Sequence, residues 1–180
     1  MDLLDFTGED MYFDQPLPAE VEELIAAAAD QYGTDDAERS LMRAYFLAPE
    51  NMTVLVALYR FFYYRQRYVD ALTVADRAIA LTSRELGLDP DWHSLAATDL
   101  NRAAAESMVL TRFLLLALKG AGFLLMRMYR PIEALERLEK AALVDDSNRL
   151  GLTDLLDWAR RAATEARLNA QGDNIHYIGR

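Results

Sequence analysis

Side chains that commonly do chemistry are sparse in this chain. There is no Cys, which removes a thiolate nucleophile, a disulfide framework and thiolate ligation of zinc. Two His residues, His93 and His176, lie about eighty positions apart, whereas a metal site needs three or four ligands converging on one point. They are read as loop or surface residues. Paired carboxylates, the usual groups for general acid–base work, occur at Asp35–Asp36 and Asp145–Asp146. The first pair falls at an expected helix start, where negative charge suits the helix dipole, and the second at an expected helix end. Gly120-Ala121-Gly122 has the glycine density of a phosphate-binding loop. It lacks the Lys-Ser/Thr ending and sits in a long apolar run, where close helix packing explains small residues. No nucleophile, base and orienting acid share a recognisable spacing. The expectation is a protein that is not an enzyme, with no catalytic, cofactor or metal site.

Composition points the same way. The chain has 180 residues, 52 % of them apolar and 27 % charged, which suits one globular domain. Ala and Leu are abundant while Pro and Gly are few, which favours helix. The net charge of −10 is unevenly spread: residues 1–38 hold twelve acids and no Lys or Arg, and the rest carries 17 acids against 19 bases. An acidic chain is poorly suited to phosphate backbones, so no nucleic-acid partner is expected. The start, MDLLDFTGED, lacks the basic and then apolar run of a signal peptide, and a cytoplasmic location is expected. The longest apolar stretch, Met108 to Met128, contains Arg112, Lys119 and Arg127. A membrane span of about 20 residues carries few charges, so a buried helix and no membrane contact are expected.

The elements emerge from an internal period. Val21, Leu24, Ala37, Ala44 and Leu47 recur 34 residues later as Leu55, Leu58, Ala71, Ala78 and Leu81. Block 18–51 is thus followed by block 52–85. A third block, 115–148, places Ala134 and Ala141 where Ala71 and Ala78 stood, at an offset of 63. That offset is one period plus a 29-residue insertion, 86–114. Gly33–Thr34 and Gln66–Tyr68 mark turns between paired helices. Gly87, Asp89 and Pro90 mark a loop, and a long helix is expected from after Ser94 or Thr98 towards Met128, bending at Gly120. Pro131 opens the next helix. Thr153 is the expected cap of a last helix, 153–169. A flexible acidic head, 1–15, and a tail, 171–180, flank the domain at 16–170.

These residues resemble the tetratricopeptide (TPR) family. The pattern of large apolar, Leu, small, aromatic, then two Ala seven apart is carried by Val21, Leu24, Ala37 and Ala44. In block two it is carried by Leu55, Leu58, Phe62, Tyr68, Ala71 and Ala78, and in block three by Leu118, Ala121, Gly122, Ala134 and Ala141. Ile25 and Tyr59 depart at the small position, Ala28 at the aromatic one, and Ala75 at a usually large one. The resemblance implies an all-α helical-hairpin solenoid of about three repeats, with a helical insertion between repeats two and three and a capping helix at the C-terminal end. Such hairpins bury their apolar faces only by stacking.

The resemblance also implies that the first helix of each repeat lines a concave groove. By register, block two contributes Val56, Arg60, Tyr63 and Tyr64, block three Lys119, Phe123, Met126 and Arg127, and block one Glu22, Ala26, Ala29 and Asp30. Aromatic anchors beside Arg are typical of a binding hot spot, and an acidic, apolar-studded peptide would complement them. The alternative is that Tyr63, Tyr64 and Phe123 simply fill the core. The Lys/Asn/Arg clamp of co-chaperones is absent, since Arg60 stands at its Asn position. The leading expectation is a protein-binding adaptor. Two alternatives remain: a dedicated chaperone or accessory factor for a bacterial client (a secretion substrate, or a metalloenzyme such as a nitrogen-fixation component), and a homo-oligomeric element joined through Met108 to Leu118. The acidic head, with Leu3, Leu4 and Phe6, either docks into the chain's own groove or pads the first helix pair.

Overall fold

The computed structural model describes residues 16–172. The expected head at 1–15, most of the expected tail and His176 lie outside the described residues. Among the described residues there are eight α-helices, one 3-10 turn and no strand. The first four are α1 (Ala19–Asp30), α2 (Asp35–Leu47), α3 (Met52–Tyr64) and α4 (Tyr68–Glu85). After the turn Trp92–Ser94 come α5 (Ala97–Glu106), α6 (Met108–Arg127), α7 (Pro131–Ala142) and α8 (Thr153–Gly172).

Local chemistry explains most of the boundaries. Thr34 Oγ1 accepts from Ala37 N at 3.3 Å and opens α2, whose first turn carries Asp35, Asp36 and Glu38. Asn51 Oδ1 accepts from Thr53 N at 2.9 Å and Val54 N at 3.3 Å and opens α3. Both satisfy backbone N–H groups that the first helical turn leaves unpaired. Pro131 stands first in α7, where its missing N–H costs nothing.

Two expectations are corrected. The long helix before Met128 is two helices. Ser107 turns extended (φ −150°, ψ 99°) and its hydroxyl caps Leu110 N at 3.4 Å, so α5 and α6 separate there. No break occurs at Gly120, which lies buried within α6. The entry to α8 is organised by Asn148, not Thr153: Asn148 Oδ1 accepts from Leu152 N at 2.7 Å and Thr153 N at 3.1 Å.

The helices pack in chain order, α1 on α2, α2 on α3, and α3 on α4. The order continues with α4 on α6, α6 on α7, and α7 on α8, with α5 alongside α6. Links of three or four residues join α1 to α2, α3 to α4, and α6 to α7, which makes each pair an antiparallel hairpin. The offset of 63 read in the sequence extends to individual hydrogen bonds. Gln66 and Tyr129 both adopt φ 58°. Arg67 N donates to Phe62 O and Arg130 N to Leu125 O, each at 2.9 Å. Arg67 Nε then reaches Asp70 and Arg130 Nε reaches Glu133, each at 2.7 Å. Both helices therefore end in the same six-to-one closure. The first hairpin turns differently, through Gly33 at φ 89°.

Small residues set the crossings within hairpins. Ala37, Ala71 and Ala134 are fully buried (0 % exposed). At the α6–α7 crossing a Cβ on Gly122 would lie 2.6 Å from Leu138 Cγ and 3.3 Å from Ala134 O. The expected insertion is part of the packing. Phe113 from it joins Met52, Leu55, Ala78 and Leu81 in a cluster beside the main core. The loop before α5 is pinned to α7 by Lys140 Nζ on Leu95 O at 2.7 Å. Arg137 adds to this, lying over the Trp92 ring at 4.7 Å while also binding Asp76.

Helix α6 has the length and hydropathy of a membrane span, yet 56 % of its most apolar window is buried inside the protein. Much of Met108 to Leu118, considered above as a dimer face, is spent in this way. Phe113, Leu114, Leu115 and Leu118 are buried, and Met108 and Val109 are its exposed large apolar side chains.

Gly122→Ala should therefore destabilise the fold by about 1–3 kcal/mol through overpacking. Urea unfolding followed by circular dichroism checks this; an unchanged midpoint would show that the α6–α7 crossing does not depend on the missing Cβ.

Candidate binding cleft

Between α1 and α3 the helices leave a cleft of about 520 Å³. The α1 wall is Ile25, Ala28, Ala29 and Tyr32, and the α3 wall is Thr53, Val56, Ala57, Arg60 and Tyr64. Each set recurs at three- and four-residue steps, so each is one stripe along a helix. The buried side chains Leu41 and Phe61 complete the lining. The facing residues Ala28, Ala29 and Ala57 are too short to meet across the gap, and the cleft stays open for that reason.

The next pair of first helices leaves a far smaller cavity, about 30 Å³. Tyr59 stacks on Tyr63 along α3 with centroids 6.2 Å apart, and Tyr63 meets Phe123 of α6 at 6.3 Å. The mouth of the open cleft is aromatic. Tyr32 and Tyr64 are 53 % and 47 % exposed and meet edge to face at 6.2 Å; Tyr32 also meets Phe61 at 6.3 Å. Among the described residues that line the cleft, Arg60 alone is charged.

Of the groove residues expected from register, Val56, Arg60 and Tyr64 come together here. Tyr63 and Phe123 are half-buried and belong to the aromatic closure between α3 and α6. Arg127 is exposed beside that closure, donating to Tyr68 Oη at 3.0 Å with its guanidinium 5.5 Å from the same ring. The structure places two more of the expected residues elsewhere. Met126 is 6 % exposed and packs in the main core. Lys119 turns its ammonium onto Leu150 O and ties α6 to the loop before α8. From block one only Ala29 lines the cleft; Glu22, Ala26 and Asp30 are exposed but lie off its wall. Sequence register missed Ile25, Tyr32, Thr53, Ala57 and Phe61. The stripe 25/28/29/32 was readable as an apolar face, although Tyr32 itself lies just past the end of α1.

The two hairpins that frame the cleft are joined by arginines. Arg65 donates to Gly33 O at 2.6 Å and lies 3.9 Å from Asp35. Arg67 meets Glu38 at 2.6 Å while holding Asp70 at 2.7 Å. The bonds to Glu38 and Asp70 push the Arg67 guanidinium above its ordinary pKa, so it stays charged. Within the first hairpin, Arg43 meets Glu20 at 2.6 Å. Each exposed pair adds at most about 1 kcal/mol; their effect is to fix how the first hairpin sits against the second.

The other chemical candidates have structural surroundings. His93 Nδ1 lies 2.7 Å from Asp91, and its ring stacks on Trp92 at 3.7 Å. The bond from His93 holds the Asp91 carboxyl below its usual range. Asp145 accepts from Arg149 N at 2.7 Å and Leu150 N at 3.0 Å and so shapes a loop. Among the described residues, no group of three or more His, Cys, Asp or Glu is placed to hold a metal ion.

The chain is 43 % identical over 157 residues to a protein of Azotobacter chroococcum described as the uncharacterized 19.8 kDa protein in the nifW 5′ region. The match covers 87 % of this chain and 88 % of that one. No protein-family model matches, and no solved structure matches.

The division between core and cleft makes a stability prediction. Met126→Ala should cost about 2–4 kcal/mol as a core truncation, and Tyr64→Ala less than about 1 kcal/mol as a change at the cleft mouth. Parallel urea melts compare them; equal losses would mean that Tyr64 is a core residue.

Proposed function

The chain belongs to the same family as the Azotobacter chroococcum protein of the nifW 5′ region, and from that premise we propose that it is a cytoplasmic accessory factor of nitrogen fixation. It works by binding a segment of another polypeptide in the α1–α3 cleft, not by catalysis. The cleft is the observation that carries this reading. Its walls are two facing apolar stripes, its mouth is a pair of tyrosines, and its charge is one guanidinium. A small-molecule site typically has several convergent polar groups that orient the ligand, and this cleft offers few. Aromatic rings beside Arg are the composition of a protein-binding hot spot. The fitting segment is acidic with apolar side chains at intervals, the acids meeting Arg60 and the apolar groups the walls.

We read the scaffold as TPR-like. Support comes from the turns 63 residues apart that share backbone angles and hydrogen bonds, and from the buried Ala37, Ala71 and Ala134 at matching positions. A helical-hairpin stack presents an extended surface that suits a peptide. The link to nitrogen fixation rests on the relative, which lies in the nifW 5′ region.

The test is affinity purification of the tagged full chain from its host growing on dinitrogen, beside Arg60→Glu/Tyr64→Ala. Wild type should carry a defined protein of the nitrogen-fixation system, and the variant should bind it about thirtyfold more weakly, as a hot-spot truncation of roughly 2 kcal/mol requires. Equal retention by both would remove the partner from the cleft, and a partner set unrelated to nitrogen fixation would remove the pathway.

A further inference from the structure

We infer that residues 1–15 of the same chain are the resident occupant of the α1–α3 cleft, an internal stand-in for the partner's segment. This rests on the reading of the cleft as a site for acidic, apolar-studded polypeptide. The segment has that chemistry. It carries Asp2, Asp5, Glu9, Asp10 and Asp14 with no Lys or Arg, and its apolar side chains include Leu3, Leu4, Phe6, Met11, Tyr12 and Phe13. The cleft offers the complement in apolar walls, aromatic rings at its mouth and the Arg60 guanidinium.

Position and reach agree. The described chain begins at residue 16, and Leu17 packs on the core just before α1. Pro18 O accepts from Val21 N at 2.9 Å and Glu22 N at 3.1 Å, which fixes the chain at the start of the helix that forms one cleft wall. A helix of 12 residues is about 18 Å long, and fifteen residues in extended form reach about 50 Å. The segment therefore spans the α1 wall from Ile25 to Tyr32 with length to spare.

Tethering does the rest. A segment joined by so short a link sees its site at millimolar effective concentration, so even a weak contact fills the cleft. An outside partner must then displace it, which selects for partners that bind more tightly than the segment does.

The absence of native Cys makes the test direct. A nitroxide is attached at Thr7→Cys in the full chain, and amide relaxation is read by NMR. The strongest broadening is expected at Ala28, Ala29, Ala57 and Arg60, and it should fall away when Asp2, Asp5, Asp10 and Asp14 are changed to Asn and Glu9 to Gln. Broadening no stronger in the cleft than elsewhere would overturn the inference. So would equal broadening on isotope-labelled copies mixed with tagged unlabelled ones, since the occupant would then be a second chain. A synthetic peptide of residues 1–15 separates this inference from the reading beneath it. It should bind the head-neutralised full chain at the cleft at least about tenfold more tightly than wild type. Equal binding to both would overturn self-occupancy and leave a polypeptide-binding cleft standing; no binding to either would overturn both.

Discussion

The close approach of paired helices at positions without side-chain bulk is the constraint on which the rest depends. At Gly122 the next helix is so near that a single added carbon would fall 2.6 Å from Leu138. On the facing helix Ala134 is fully buried, and Ala37 and Ala71 hold its place in the first two hairpins, also fully buried. Once two helices are drawn together there, the larger residues on either side interlock, and the pair becomes a rigid unit with one apolar face left over. That face is buried only against the next hairpin. The inserted α5 and the early part of α6 follow the same demand: Phe113 enters a cluster with Met52 and Leu81 instead of standing outside the stack.

The candidate site arises where this packing is incomplete. Between α3 and α6 the rings of Tyr59, Tyr63 and Phe123 narrow the gap between first helices. Between α1 and α3 the corresponding space is faced by alanines and stays open. Polar contacts also bridge the two hairpins beside it. Arg65 and Arg67 reach from the second hairpin to Gly33, Asp35 and Glu38 of the first. The uneven charge of the chain thus has a structural use. Acids of the first hairpin meet arginines of α2 and of the second hairpin, and Arg60 is the charged side chain of the cleft lining.

The helical class and the recurrence were legible because Ala37, Ala71 and Ala134 recur at fixed offsets and periodicity survives any tertiary detail. The break at Ser107 was not legible. A serine in the run from Ala103 to Leu110 reads as mid-helix until its hydroxyl is seen capping Leu110. Register found Val56, Arg60 and Tyr64 because α3 has a clear succession of faces. It misplaced Met126 because α6 is apolar nearly all round, with eleven of its twenty residues buried, so no periodicity marks which side meets solvent. Lys119 was misread because its partner, the Leu150 carbonyl, is 31 residues away and is brought near only by the loop before α8. The link to nitrogen fixation came from a related sequence and from no residue of the cleft.

The most direct test of the account is photocrosslinking in living cells, with a photoreactive residue in place of Thr53 on the cleft wall and, separately, in place of Trp158 on the distant α8. Uptake of polypeptide by the cleft predicts a strong adduct from position 53, whether with the chain's own first residues or with another protein, and little from position 158. No adduct at position 53, or equal adducts at both, would contradict the claim that the α1–α3 cleft is where this protein recognises polypeptide.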